Sequence, residues 1–420
     1  MRHFPTLLAP LLLWPGWAAA QDIPYAGKYA AEPEVEELAR RLPELKREAG
    51  RVVAERFGLA EAEISNVVVR FADMPLDPRR DVQMAGTNTR IQEGREIQEI
   101  TLNLEVHFGG QDSIERELTH EMAHAVLRNL LGEQRHRAFP KWGREGLAVW
   151  AAGQGPDRVE FWLGMMADRE DPAGELLDGL ENAAHSLKDY PEDFLAIAAM
   201  ESLGGRDAVR RFVALLSEGS TAREAAAAVA GGTWEEFVRV SHEFGVAWIA
   251  RRRPAEMVAA YRSAMEAWRG RRWDEAHRRC FALTVRWPDS WAAALGTYYG
   301  ARALQMAGAH GDAVIGFSEF RSGIGFRTGL LDDALVQQAF CLEALGRGEE
   351  AVRGIDRYVR DYPFAPGVAE AAFRAAEITA VRIGDRDGAR RRYERVVENW
   401  PDRPAAGKAK ARLAESAVPR

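Results

Sequence analysis

Residues 117–126 read Glu-Leu-Thr-His-Glu-Met-Ala-His-Ala-Val. Two histidines four positions apart on a helix, here His120 and His124, sit one turn apart on one face, so both imidazoles can reach a single metal ion. Ile114, Leu118, Met122, Val126 and Leu130 recur every four residues around them and predict the buried stripe of an amphipathic helix. At about 100° per residue the histidine pair falls roughly opposite that stripe, so it can face a cleft while the stripe faces the core. Glu121 points to the flank, within reach of a metal-bound water without being a ligand. Neutral imidazole suits zinc, and zinc brings the pKa of its water to about 7, where a neighbouring carboxylate can deprotonate it. With 9 His in 420 residues, a His-Glu-x-x-His string arises by chance on the order of once in a hundred such chains.

Asp112 followed by Glu115 reads as a capping box opening this helix, which should run to about Leu131. Phe139-Pro140 breaks the chain, and a shorter helix is expected from Trp142 to Ala152 with Glu145 in its first turn. Catalytic zinc takes three protein ligands and keeps one position open. A short connection between the two helices can bring Glu145 back over the histidine pair to make a His₂Glu set. Glu133 and His136, within the connection itself, are the rival third ligands. A third histidine six residues after His124 is excluded, because that position is Leu130. Trp142 and Trp150 read as core packing.

Upstream, residues 33–57 predict an amphipathic helix interrupted or kinked near Pro43. Strands are expected at 66–71, 82–87 and 97–106, the last alternating Ile100, Leu102 and Leu104 on one face. This last strand is also a candidate for pairing with an extended substrate. Everything after Gln111 reads as helical, with further helices at 191–203, 207–216 and 234–250 and a boundary at Arg251-Arg252-Arg253-Pro254.

Beyond that boundary the chain repeats itself. Ala276, Ala313, Ala351 and Ala389 occupy matching places at spacings of 37, 38 and 38 residues, each near the start of a second helix of a helical hairpin. Trp287-Pro288, Tyr362-Pro363 and Trp400-Pro401 close three of the four units, and 405–420 reads as a capping helix. The pattern resembles tetratricopeptide repeats, although the period exceeds their usual length of about 34 residues. Trp273, Trp287 and Trp400 fit packing positions. The arginine runs at 251–253 and 390–392 read as solvated faces.

His120-Glu121-Met122-Ala123-His124 followed by Arg144-Glu145-Gly146-Leu147-Ala148 resembles the gluzincin peptidases, especially the peptidase-MA-like domains of exported bacterial proteins. The likeness spans roughly 64–250 and is specific at 120–150. It implies His120, His124 and Glu145 as zinc ligands and Glu121 as general base. It also implies a tyrosine near the start of a later helix as oxyanion donor. Tyr190 in Lys-Asp-Tyr-Pro matches, with His185 as the competing donor. The Gly-x-Met-Glu-Asn segment by which the aminopeptidase branch grips a free amine does not occur within 84–105, which favours an endopeptidase.

Residues 1–20 have a basic start, an apolar stretch from Leu7 to Trp14, and Ala18-Ala19-Ala20 before Gln21, as a secretory signal cleaved near Ala20 does. Pro10 and Pro15 argue against an uncleaved anchor, and no later stretch is apolar enough to span a bilayer. A periplasmic or secreted protein is therefore expected. Its 2 Cys, Cys280 and Cys341, read as buried free thiols in non-adjacent helices. A net charge of −7 argues against a nucleic-acid partner. The expected architecture is an α+β zincin-like domain over 21–250, with a small sheet, the His-Glu-x-x-His helix and a helical C-terminal part. An all-α tetratricopeptide-like solenoid over 255–420 follows. The function expected is a zinc-dependent peptidase acting on peptides or proteins, whose repeats engage a protein partner. The alternative is a non-catalytic scaffold that works through the repeats.

Overall fold

The computed structural model describes residues 25–73, 85–92, 95–110, 112–177, 179–180 and 189–416. The signal segment, His185, residues 82–84 of the second expected strand and the last four residues of the capping segment lie outside them. The chain is mostly helical, with one small mixed sheet near its N-terminus. Its first helix, Pro33–Phe57, is continuous through Pro43. Pro43 and Ala39, whose carbonyl it leaves without an intrahelical donor, are both on the exposed side, where water can substitute.

Three strands follow: β1 (Val67–Ala72), β2 (Ala85–Gln92) and β3 (Arg95–Asn103), in the order β1-β3-β2. β3 runs parallel to β1 and antiparallel to β2. Ile100 and Leu102 are buried as the alternation requires, with Gln98 buried beside them, but Thr101 and Asn103 on the other face are buried too. Two expectations fail here. The third strand stops at Asn103, whose side chain accepts the Glu105 amide at 3.0 Å and starts a short helix, Leu104–Phe108. As the central strand, β3 also has both edges paired and cannot add a substrate strand; among the described residues the edges belong to β1 and β2.

The helix that carries His120 and His124 is Ile114–Ala138, with a non-helical residue at Gly132 that marks the end expected near Leu131. Its cap is Ser113 rather than Asp112: Ser113 Oγ accepts the Arg116 amide at 3.3 Å. The second helix, Lys141–Ala151, starts after Pro140. Trp142 is buried against Phe212, Trp234 and Phe237, ring to ring at 5.6–5.9 Å. At the other end Trp150 donates its indole N–H to Glu201 at 2.9 Å. Both tryptophans are therefore packing residues, of the kind whose truncation costs about 3–5 kcal/mol. Helices Gly155–Met165, Pro172–Leu176 and Ala222–Ala230 complete this half in addition to those expected.

After Pro254 come four helical hairpins and a last helix, Pro404–Ser416, which packs on the final pair. Ala276, Ala313, Ala351 and Ala389 are all buried near the starts of the second helices. Cys280 and Cys341 are free and buried. One hydrophobic cluster runs across Pro254 without a break, joining Leu163 and Leu177 to Met257, Tyr261, Leu283 and Trp291. The arginines at the junction form a solvated face only in part, since Arg251 and Arg252 are exposed but two of the three reach partners. Arg252 pairs with buried Glu160 at 3.0 Å, and Arg253 donates to the carbonyls of Ala167 and Arg169. In the later run, Arg392 pairs with Asp356 and is largely covered.

The hairpin turns obey one rule. Five residues before each matching alanine stands a residue in the left-handed region: Arg271 (φ 57°), Gly308 (83°), Gly346 (77°) and Gly384 (81°). Arg271 is the only non-glycine with positive φ among the described residues. Arg271→Gly should therefore stabilise the chain by about 0.5–1 kcal/mol, after allowing for the extra freedom glycine gives the unfolded state. Gly346→Ala, whose added methyl would meet nothing within 4 Å, should destabilise by about 1 kcal/mol through backbone strain alone. Denaturant midpoints of the two variants check the pair, and equal midpoints would contradict it.

Candidate metal centre

The break at Gly132 and the restart at Pro140 fold the Lys141–Ala151 helix back on the Ile114–Ala138 helix, so that Glu145 meets the histidine pair. His120 Nε2 and His124 Nε2 lie 3.2 Å apart. Glu145 Oε2 is 3.5 Å from the first and 3.3 Å from the second. The three atoms form a nearly equilateral triangle. A tetrahedral zinc ion with bonds of about 2.0–2.1 Å sets its ligand atoms about 3.3 Å apart, so these residues fit that ion in donor chemistry and in spacing. Other first-row ions that accept two imidazoles and a carboxylate share the donor preference.

The electrostatics agree. Burial alone would raise the Glu145 carboxyl, but the adjoining His124 and His120 hold it well below the usual carboxylate range. Burial would likewise lower His124, and the Glu145 carboxylate outweighs it and pushes that imidazole up. The pocket favours positive charge beside Glu145. Arg144 Nε stands 3.4 Å from the other oxygen, Glu145 Oε1.

Glu121 is buried on the flank of the pair, and its Oε2 accepts the Thr87 hydroxyl at 2.7 Å. Thr87 comes from β2, where it sits opposite Ile100 of β3, so the sheet holds this carboxylate in place. Tyr190 lies in the first turn of the helix Asp189–Gly204, its ring centroid 6.3 Å from that of His120. Burial, with Glu145 adding to it, raises the phenol above its ordinary value and keeps it a donor. That helix can approach because residue 146 is glycine: a Cβ there would meet the Asp193 carbonyl oxygen at 2.4 Å. The structure thus brings His120, His124 and Glu145 together, with Glu121 on their flank and Tyr190 near His120.

The rivals do not join them. Glu133 is engaged by Arg128 and Arg137. His136 is not among the three residues whose ligand atoms converge within 4.8 Å. His185 falls outside the described residues. Sequence reading missed three supporting residues. Thr87 holds Glu121, and Arg144 flanks Glu145. Gln154, fully buried, contacts His120 Nδ1 at 2.9 Å. Arg144 stands within the quoted Arg144–Ala148 string without a role assigned to it, whereas Thr87 and Gln154 belong to no motif and only the folded geometry identifies them.

A family model described as tetratricopeptide repeat matches residues 333–365, which cover most of the hairpin formed by helices Leu331–Ala344 and Gly348–Asp361. No zincin family model matches. No curated protein and no solved structure matches the chain.

Burial, reinforced by Arg144, lowers the His136 imidazole to about 4. The unfolded chain takes up that proton near pH 6.5, so the folded state loses stability as pH falls from about 6.5 towards 4. Discounted for partial exposure, the loss is about 1–2 kcal/mol. His136→Gln should remove it. Urea midpoints at pH 7 and pH 5 in a chelator should converge more closely for the variant than for wild type, and an unchanged pH response would refute the assignment.

Proposed function

We propose that the protein is an exported zinc metallopeptidase of gluzincin type. His120, His124 and Glu145 serve as metal ligands, Glu121 as general base and Tyr190 as oxyanion donor. The observation that carries this reading is the triangle of two imidazole nitrogens and one carboxylate oxygen, with a second buried carboxylate, Glu121, beside it and not in it. Zinc, when bound, supplies a Lewis acid for the scissile carbonyl and acidifies a water to near neutral pKa. With Oε2 held by Thr87, Glu121 takes the water's proton on Oε1 and later returns it to the departing amine nitrogen. The Tyr190 phenol, kept protonated by its surroundings, donates to the oxygen that becomes negative as the carbonyl is attacked. Donors of this kind contribute roughly 3 kcal/mol to lowering a barrier. An extended peptide lying along β2 would present its backbone beside Thr87 and Glu121. The sequence from 84 to 105 has no amine-gripping string, which favours cleavage within chains over removal of N-terminal residues. The signal-like sequence of residues 1–20 supports an activity exported to the periplasm or the medium.

A second reading, a binding scaffold, draws on a groove of about 1140 Å³ around the matched repeat. Val336, Phe340 and Phe373 supply apolar lining, with Asp332 and Asp333 among its acidic residues and Arg374 and Lys408 among its basic ones. Such a surface suits a peptide or partner helix, and it is compatible with a peptidase that recruits its substrates.

Glu121→Gln should keep the fold and the zinc content while lowering hydrolysis of a peptide library by about 10²–10⁴-fold. Zinc analysis and digest profiles of both proteins test this. Hydrolysis at the wild-type rate in the variant would remove the peptidase reading and leave the scaffold.

A further inference from the structure

We propose that Gln154 is a positioning residue that fixes His120 in the tautomer able to bind a metal through Nε2, by coupling its Nδ1 to the buried carboxyl groups of Asp112 and Glu117. This rests on the metal site of the proposed function and not on its hydrolytic step. Gln154 follows Gly153, which adopts φ 68°, and its amide N–H donates to the Val149 carbonyl at 3.0 Å. The backbone thus delivers the side chain to a fully buried place beside His120.

There the Gln154 side chain makes three contacts. Oε1 lies 2.9 Å from His120 Nδ1, and Nε2 donates to Asp112 Oδ2 at 2.8 Å and to Glu117 Oε1 at 3.0 Å. The two ends of a glutamine amide are alike in shape and opposite in chemistry. A flipped amide would set its carbonyl against two carboxyl oxygens, so the NH₂ group faces Asp112 and Glu117 and the carbonyl faces the imidazole. A carbonyl oxygen only accepts. His120 Nδ1 therefore holds the hydrogen, and the lone pair is left on Nε2, the atom that faces His124 and Glu145.

The carboxyl groups are supported in turn. Arg116 lies 3.2 Å from Asp112 Oδ1, and Arg158 approaches Glu117 at 3.8 Å. His124 differs, because its Nδ1 is buried with no hydrogen-bond partner among the described residues. His120 is accordingly the ligand whose orientation is set before any metal arrives. Outer partners of this type alter metal affinity by about 10–100-fold when removed.

The test uses the full chain and zinc alone. Gln154→Leu should bind zinc about 10–100-fold more weakly in competition with a chromophoric chelator. Long-range nitrogen NMR of the histidine-labelled wild type in chelator should show His120 protonated at Nδ1 and bare at Nε2, and the variant should show both tautomers in exchange. If the variant fails to unfold cooperatively in chelator, the wild-type tautomer decides alone. Wild-type zinc affinity in a folded Gln154→Leu, a wild-type ring protonated at Nε2, or no zinc uptake by wild type would each overturn the proposal. Hydrolysis unaffected by Glu121→Gln would instead sink the peptidase reading and leave this inference standing.

Discussion

A carboxylate buried between two imidazoles is the constraint around which the N-terminal half is arranged. An isolated buried charge costs several kcal/mol, and that cost is recovered only when opposite charge and hydrogen bonds surround it. Glu145 meets this condition because three separate elements converge on it. The capped helix supplies both rings, the returning helix supplies the carboxylate, and the helix beginning near Tyr190 closes over them where residue 146 has no side chain. The sheet contributes less to burying the pocket than to holding Glu121 through Thr87. The same preference for positive charge that holds Glu145 ionised is what a divalent cation would satisfy.

Much of this was legible in the chain because helical periodicity and ligand spacing are local properties. His120 and His124 declare their common face from a separation of four residues, and Glu145 is placed by one short connection. The repeat was legible for a related reason: a hairpin turn that needs a left-handed residue and a close-packed alanine leaves the same marks every 37 or 38 residues. What escaped reading was non-local. Gln154 meets Asp112 and Glu117 only after two helices have packed, and nothing in Ala152-Gly153-Gln154 announces it. The end of β3 depended on Asn103 competing for the Glu105 amide, which the alternation of Ile100, Leu102 and Leu104 masks. The partners of Arg252 and Arg253, Glu160 and the carbonyls near 167–169, could not be read from the run because they lie some 80 or more residues away in the chain.

Contacts between the two halves are numerous and specific. Asp157 binds Arg116 of the helix that carries the histidine pair at 2.8 Å and Arg327, from the segment between the second and third hairpins, also at 2.8 Å. Farther along, the matched repeat reaches the start of the described chain. Arg360 pairs with Glu32 at 2.7 Å, Tyr29 donates to Asp361 at 3.2 Å, and Tyr362 donates to the carbonyl of Gly109 at 2.7 Å. Asp361 is fully buried there, and Arg357 and Arg360 share its charge.

That last set of contacts has an evolutionary corollary. Open solenoids gain or lose units freely, because each module touches only its neighbours. Here the array leaves the globular half at Pro254 and is fastened to it again around residue 361, which closes a loop of fixed circumference. Inserting or deleting one hairpin between those anchors would carry the Arg360–Asp361 clasp out of register with Tyr29 and Glu32. Variation in repeat number is thereby confined to the far end, beyond Tyr362, where the last hairpins can lengthen or shorten without unfastening the ring.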